Sequence, residues 1–266
     1  MRNDRGQVGI VLLLVTVVML TVGISVVSRT TTDVAITREN EEATRALDAA
    51  ESAVEKALGD ATILDPTTGD VGVQQITVIP EKLTAEFSVG KLNYLETVSS
   101  EGEAAVIDLT SATVVSNARL KIEWAKETSC ATTPTPASLA ITVYNQTGDA
   151  STATLRRAYL SPCDRGAGVN DGFTVVPKIS SGVYYTSYDL TMLAGDKLVR
   201  IRPVYNQTAL RVSGNGWALP TQLFKINAQG ENSVSKETKA IEVDRTLPKT
   251  PSVFDYALFS GTSITN

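Results

Sequence analysis

The run from Val8 to Val27 constrains this chain more than any other feature of its sequence. It contains no charged residue and consists mainly of Val, Leu and Ile, interrupted only by Gly, Thr, Ser and one Met. As a helix it would be about 30 Å long, at roughly 1.5 Å per residue, which matches the hydrocarbon thickness of a bilayer. In lipid the backbone can satisfy its polar groups only internally, so even a valine-rich segment becomes helical. The sequence therefore predicts one transmembrane helix.

The residues before this run predict its orientation. Residues 1–6 form a basic leader with two arginines against one aspartate, and positive charge on a short leading side keeps the N-terminus in the cytoplasm. A removable secretory signal would have an apolar core of about 7–15 residues followed by a small-residue cleavage site. Here the core is longer, and a Ser/Arg/Thr run follows it. We therefore expect a retained single-pass anchor in the cytoplasmic (inner) membrane, with the soluble domain extracytoplasmic.

A second helical segment continues directly from the anchor, from Thr30 to about Leu58. It is rich in Ala and Glu and contains no Gly or Pro before Gly59, which supplies a stop. Apolar residues recur with the 3.6-residue period of a helix, and charged residues cover much of the other side. The predicted apolar stripe comprises Ala43, Ala46, Leu47, Ala50, Val54, Ala57 and Leu58. Anchor and stripe together predict one helix over residues 7–60, half in lipid and half laid against a soluble domain.

Two stretches of this helix resemble the type IV pilin and pseudopilin class, and in particular PilX-like minor pilins. The junction Arg5-Gly6-Gln7 before the apolar run is similar to the class III signal of that class. The segment ALDAAESAV at residues 46–54 is similar to the A-x-x-A-A-E-A-A-L segment that follows the anchor in PilX-like proteins. The resemblance covers residues 1–60 and implies cleavage by a prepilin peptidase between Gly6 and Gln7, with the helix retained. Without it, Gly6 is equally well explained as a flexible boundary before the span.

The chain departs from the pilin pattern at Val11. Major pilins carry glutamate at the fifth residue after the cut, and in that family the carboxylate is thought to meet the terminal amine of a neighbouring subunit. A lone charge at membrane depth costs about 2.5–3.5 kcal/mol, so such a carboxylate needs a partner. Some minor pilins of filament tips also lack it. The resemblance therefore implies a structural subunit in the tip or priming position of a type IV pilus-like filament.

After Thr62 the pattern changes to short β-branched and aromatic runs separated by Gly, Asn, Asp and Ser. The predicted strands are residues 75–79, 84–89, 104–109, 118–124, 138–144, 153–160, 173–176, 183–190, 197–204, 210–212, 222–226 and 239–243. Their alternation and spacing favour an antiparallel β-sandwich over residues 61–247, with a jelly roll as one form of it. The predicted fold class is therefore α+β, a long N-terminal helix followed by this sandwich. A domain boundary near residue 130, beside a Thr/Pro run, is the alternative.

Three features of the soluble part suggest local chemistry. Cys130 and Cys163 most simply form a disulfide in an exported domain, with two buried thiols as the alternative. The loop Asp164–Gly172 offers oxygen ligands for Ca²⁺, although such residues more often make turns and no EF-hand spacing is present. Residues 248–266 form a Pro-bracketed aromatic segment, which is either a last strand or an apolar docking strip for a partner subunit.

Absences in the composition narrow the function classes. The chain has no histidine, which removes the usual general base of hydrolases and the commonest zinc ligand. Two cysteines are too few for a Cys-rich metal site, and a net charge of −5 without a basic run gives no reason to expect nucleic acid. We therefore expect a non-enzymatic protein without catalytic residues, cofactor or metal.

The resemblance implies that its partners are membrane lipid, a prepilin peptidase, the pilus assembly machinery and other pilin-like subunits. The alternative is a permanently tethered surface β-domain that binds a carbohydrate or a protein and never polymerises.

Overall fold

A computed structural model of the chain describes residues 5–79, 82–112, 114, 117–126, 129–131, 134–148, 153–165, 171–176, 178 and 182–247, with only the backbone of residues 5–8. One helix, α1, runs without interruption from Arg5 to Gly59. The prediction of a single continuous helix is therefore confirmed. Two Asx turns follow it, in which the carboxylates of Asp60 and Asp65 accept the backbone N–H groups of Thr62 and Thr67, at 2.9 and 2.8 Å.

Strands follow the helix. They are β1 (Val71–Ile79), β2 (Leu83–Leu92), β3 (Tyr94–Ser99), β4 (Ala105–Asp108), β5 (Arg119–Lys126), β6 (Ser138–Asn145), β7 (Thr154–Ser161), β8 (Thr174–Val175), β9 (Tyr184–Thr191), β10 (Asp196–Val204), β11 (Thr208–Asn215), β12 (Leu223–Asn232) and β13 (Thr238–Thr246). They form three sheets, in the orders β1-β2-β12-β13, β3-β11-β5-β9 and β4-β10-β6-β7-β8. The α+β fold class is confirmed.

The chain divides into two compact units. The first consists of Met1–Lys56, Val73–Phe87 and Asn227–Ile241, and the second of Ala57–Gly72, Ser88–Ile226 and Glu242–Asn266. The first unit combines most of α1 with parts of the strands of the first sheet. The second unit contains β3 to β11 and hence both of the remaining sheets.

The second unit is a jelly roll. With β8 set aside, its eight strands pair first with last (β3–β11), second with second-to-last (β4–β10), and so on inwards through β5–β9 to β6–β7. All four pairings are antiparallel. This is the wrapped-hairpin order in which a double-sheet jelly roll distributes its strands. The jelly-roll form of the predicted sandwich is therefore confirmed for residues 94–215.

Alternating side chains of both sheets build one core in this unit. Ile122 and Trp124 of β5, Ile141 of β6, Ile201 of β10 and Val212 of β11 are at most 1% exposed. The indole N–H of Trp124 donates to the carbonyl of Ala137 at 3.0 Å, which satisfies the polar group of the largest core side chain. Burial of both inner faces against each other explains why the two sheets stay together.

The structure corrects the predicted domain layout in two ways. Residues 61–247 do not form one sandwich, because β1, β2, β12 and β13 make a separate sheet from the two ends of the soluble part. The alternative boundary near residue 130 is also wrong, since strands from both sides of that position share the same two sheets and core. The strand β3 was absent from the predicted strands, while the other elements differ from prediction mainly at their ends.

Cys130 and Cys163 form a disulfide, which confirms the predicted pairing; their Cα atoms are 5.5 Å apart and the sequence separation is 33 residues. Replacing both by serine should lower the free energy of unfolding of the jelly roll by about 3–4 kcal/mol, because the unfolded chain regains the entropy of that loop. Denaturant unfolding of the variant and of the parent, each with and without reductant, measures the difference. Reductant should leave the variant unchanged, and a parent equally insensitive to it would contradict the prediction.

Tyr184 has a strongly shifted titration. Burial, followed by the neighbouring Glu96 carboxylate, raises the pKa of its phenol from 10.0 to about 12, and the hydroxyl donates to Glu96 Oε1 at 3.1 Å. Because the folded pKa exceeds the unfolded one, the associated stability is present below pH 10 and is lost as pH rises through about 12. Alkaline titration of tyrosinate absorbance should show this late phenol in the parent and not in Tyr184→Phe. In Glu96→Gln its pKa should fall but stay above 10.0, since burial is the larger cause.

Candidate assembly surface on the N-terminal helix

The first half of α1 exposes an apolar surface on every side. Ile10, Leu12, Met19 and Leu20 are each at least 65% exposed, and other apolar side chains as far as Val27 are similar. None of the most apolar stretch is buried within the chain, and the helix is long and apolar enough to span a membrane. A helix that is apolar on all sides is unfavourable in water and needs an apolar environment around it. A bilayer supplies that environment. This agrees with the predicted span Val8 to Val27.

The two threonine hydroxyl groups in this apolar half are satisfied by the helix itself. Thr16 Oγ1 donates to the carbonyls of Leu12 and Leu13 at 2.8 and 2.9 Å, and Thr21 Oγ1 donates to that of Val18 at 2.8 Å. An unpaired hydroxyl in hydrocarbon is costly, and bonding back onto the preceding turn avoids that cost. These threonines therefore do not interrupt the span.

Beyond the span, a polar stretch of α1 leads to the packed part. Charge begins at Arg29, and residues 28–41 are exposed throughout. Arg38 Nε and Glu42 Oε1 form an i,i+4 ion pair at 2.9 Å, which supports the helix at the end of this stretch. Val34 and Ile36 are 62% and 50% exposed. This stretch is therefore an uncovered rod between the membrane-sized segment and the folded domain.

The second half of α1 packs through alanine. The side chains of Ala46, Ala49, Ala50 and Ala53 are fully buried, and Val54 is 8% exposed. Such small residues let a helix backbone approach its neighbour closely. Leu83, Ala85 and Phe87 of β2 and Ala228 of β12 are buried in the same unit.

Gly230 of β12 is where the helix comes closest. A Cβ built at this position would lie 2.1 Å from the carbonyl oxygen of Ala46, 2.6 Å from the amide nitrogen of Ala50 and 2.9 Å from the Cβ of Ala49. Real Cβ atoms do not make such contacts, so only glycine fits here. Helix backbone therefore rests directly on strand backbone, and this fixes α1 to one face of the sheet.

The structure changes the predicted stripe. Ala46, Ala50, Val54 and Ala57 are buried as predicted, and Ala43 is half-buried. Leu47 and Leu58, in contrast, are 38% and 36% exposed. Ala49 and Ala53 take their place in the buried face. At Ala46, Ala49 and Ala50 the physical reason is the close approach of Gly230, which leaves room for methyl groups but not for larger side chains. A glycine inside a strand pattern, facing an alanine-rich helix, is the signal that could have predicted this contact.

A groove of about 770 Å³ lies beside the packed helix in the same unit. The α1 side contributes Arg38, Glu41, Glu42, Arg45, Asp48 and Ser52, and the sheet side Val78, Ile79, Lys82, Leu83, Asn232 and Val234. Its lining combines six charged side chains with four apolar ones from the sheet side. An extended or helical segment of another chain fits such a groove better than a small polar ligand does.

The structure describes the remaining predicted sites only in part. Gly6 and Gln7 are helical in backbone, and only the backbone is described there. Residues 166–170 of the proposed Ca²⁺ loop and the whole segment 248–266 also lie outside them. At the end of that loop, the Asp171 carboxylate accepts the Phe173 N–H and the Tyr205 hydroxyl, each at 3.1 Å. Among the described residues, no group of three or more Cys, Asp or Glu side chains could hold a metal ion.

No protein-family model matches the chain, and no curated protein matches it significantly.

Proposed function

We propose that this protein is a structural, non-enzymatic subunit, similar to PilX-like minor pilins, which is anchored by α1 and assembles into a type IV pilus-like filament. The observation that carries the proposal is the single helix Arg5–Gly59, exposed and apolar in its first half and docked through alanines in its second. A permanent anchor needs only the first half. A continuous rigid helix, held to a domain at one end, also lets copies stack side by side when they leave the membrane.

In this proposal the apolar half changes partners during assembly. It contacts lipid before assembly and the helices of neighbouring subunits afterwards, and both environments are apolar. The exposed β-branched side chains and the internally bonded threonines suit both. A prepilin peptidase would cut between Gly6 and Gln7, which removes the two arginines of the leader that would otherwise hold the helix at the cytoplasmic surface.

The proposal places the subunit at the tip or in a priming complex. The apolar run carries Val11 at the place where major pilins carry glutamate, and the first carboxylate after the run is that of Asp33. No copy of this chain can therefore offer a carboxylate to a neighbour's terminal amine at that depth. A bulk subunit repeated along the whole filament would need that contact many times, whereas a tip subunit does not.

Shearing of surface filaments tests this proposal. The protein should be recovered with the sheared filaments, in smaller amounts than the major subunit, and recovery should cease when the prepilin peptidase is removed. A protein that stays entirely in the membrane fraction of sheared cells would contradict assembly and favour the permanently tethered β-domain. A protein that proves to be the most abundant filament component would contradict the tip or priming position.

A further inference from the structure

The edge strand β1 differs from the other sheet edges in the described part of the chain. Its nine residues VGVQQITVI contain no charge and no proline, and it stands at the end of the first sheet. The other edges carry charges or are short, with Glu96 in β3, Asp108 in the four-residue β4, Asp189 in β9, four charges in β13 and only two residues in β8. Proteins normally protect long edges with charge, since an open edge can pair with another chain.

On both faces of β1 the side chains are exposed or only half-buried. Val73 and Ile79 are 62% and 46% exposed, and Gln75 and Thr77 on the same side are also exposed. On the other side, Ile76 and Val78 are half-buried, and Val78 helps to line the groove beside α1. An added strand would bury apolar side chains on both faces and would pair with the outward backbone groups of β1.

The direction of the helix decides which strand can be added. Because α1 packs on one face of β12 at Gly230, the orientation of the sheet in a second copy also sets the orientation of its helix. If β1 paired antiparallel with the β1 of a second copy, a twofold axis normal to the sheet would relate the two copies. This axis reverses directions within the sheet, so the two helices would point in opposite directions. Parallel pairing of the same two edges would put the helices on opposite faces. Copies anchored in one membrane and stacked by their helices can use neither arrangement.

The other edge of the same sheet, β13, remains, and among the described residues no strand pairs with its outer side. We propose that β1 of one copy binds β13 of a second copy, so that the first sheet continues from copy to copy with all helices on one side; this rests on the proposed function. Lys239 and Ile241 of β13 are half-buried on one face, and Thr238 and Ala240 are exposed on the other. In the joined sheet the face of β13 that carries Lys239 and Ile241 continues the face of β1 that carries Ile76 and Val78. This face adjoins the groove, whose lining holds three acidic and three basic side chains.

Such a contact is weak alone and effective in a membrane. A few added backbone hydrogen bonds contribute little net free energy, and one strand buries less than the roughly 1,200 Å² of a stable interface. Anchoring in one membrane raises the effective concentration of the second edge and makes the contact effective there. Because this contact joins two different edges, each copy that is added leaves a free edge for the next. A tip or priming complex needs only a few such copies.

Cysteine cross-linking between two differently tagged full-length copies tests this inference. One copy carries Gln75→Cys, Thr77→Cys or Ile79→Cys, and the other carries Ala240→Cys, all at exposed positions. The native cysteines do not interfere, because they are bonded to each other. A short bifunctional maleimide applied to membranes should give the mixed dimer for at least one pair. The matched pair Thr84→Cys with Ala240→Cys, from the neighbouring strand β2, should give none.

A charge placed on the edge gives the second measurement. Thr77→Lys should abolish the cross-link between Gln75→Cys and Ala240→Cys, since lysine on an edge opposes strand addition. Thr84→Lys, equally exposed on the same sheet but one strand inwards, should leave the yield unchanged. Equal yields for the two lysine variants would overturn the inference.

Helix cross-linking separates this inference from the proposed function. Copies carrying Val34→Cys, on the exposed stretch of α1, should cross-link to one another wherever helices stack. A helix cross-link without any β1–β13 cross-link would overturn the inference and leave the proposed function standing. A cross-link between two Gln75→Cys copies would overturn it in favour of paired β1 strands. Absence of both helix and strand cross-links would count against stacking of copies altogether.

Discussion

Replacing Gly230 by alanine should destabilise the helix–sheet unit more than any other single methyl group added to the described part of this sheet. The new Cβ would lie 2.1 Å from the Ala46 carbonyl oxygen and 2.6 Å from the Ala50 nitrogen, and both are backbone atoms that no rotamer change can move. Overpacking of a well-filled interior costs about 1–3 kcal/mol and more where the backbone resists. Thermal unfolding of the full chain in detergent, with limited proteolysis of α1, measures the loss.

Gly90→Ala is the matched control. Gly90 lies in β2 of the same sheet, and a Cβ there would be 3.9 Å from the Lys225 carbonyl oxygen, an ordinary contact. Its backbone is not in the left-handed region, so alanine should be neutral or stabilise by up to about 1 kcal/mol through the unfolded chain. Indistinguishable melting and proteolysis of the two variants would show that α1 does not rest on β12 as described.

Leu14→Arg should reduce membrane integration of the chain. Leu14 lies near the middle of the apolar run and is 60% exposed, so the substitution disturbs no packing within the chain. Arginine at the centre of a span costs about 2.5–3.5 kcal/mol on the insertion scale, which lowers the inserted-to-uninserted ratio by about 100-fold. Adding Val18→Arg on the same helix should nearly double that cost. The fraction of protein that resists alkaline extraction from membranes measures both effects.

Leu47→Arg is the matched control for this substitution. Leu47 belongs to the same helix and is 38% exposed, but it lies next to the buried Ala46 in the soluble part. The same change there should leave the alkali-resistant fraction unchanged, since no lipid is involved. If Leu14→Arg integrated as well as Leu47→Arg, the apolar half of α1 would not be a membrane span.

Local pattern predicted the elements of this fold better than their assembly. The helix and most strands follow from periodicity, because each is set by near neighbours in the chain. β3 was missed since Tyr94–Ser99 follows β2 after a single residue and has no turn signal of its own. The separate first sheet joins residues 71–92 to residues 223–246, and the pairing of segments so distant in sequence leaves no local mark.

The candidate surface shows the same division. The apolar span was predictable because bilayer thickness sets its length, and the disulfide because two cysteines in an exported domain allow one pairing. The helical period of the buried face of α1 was predicted correctly, but not all of its residues were. Hydrophobicity ranks Leu47 and Leu58 above Ala49 and Ala53, so the two leucines were assigned to the face instead of the two alanines. The close approach at Gly230, a tertiary contact, favours alanine at positions 46, 49 and 50. The open edge of β1 likewise depends on the sheet order.

The mature N-terminus of the membrane-extracted protein is the most direct measurement of what α1 does. Intact mass together with N-terminal peptide sequencing should give a chain that begins at Gln7 and keeps all of Val8 to Val27. A chain that still begins at Met1 would contradict prepilin-type processing and leave a simple anchor. A soluble protein outside the cell, cut beyond Val27, would contradict both the anchor and the assembly helix.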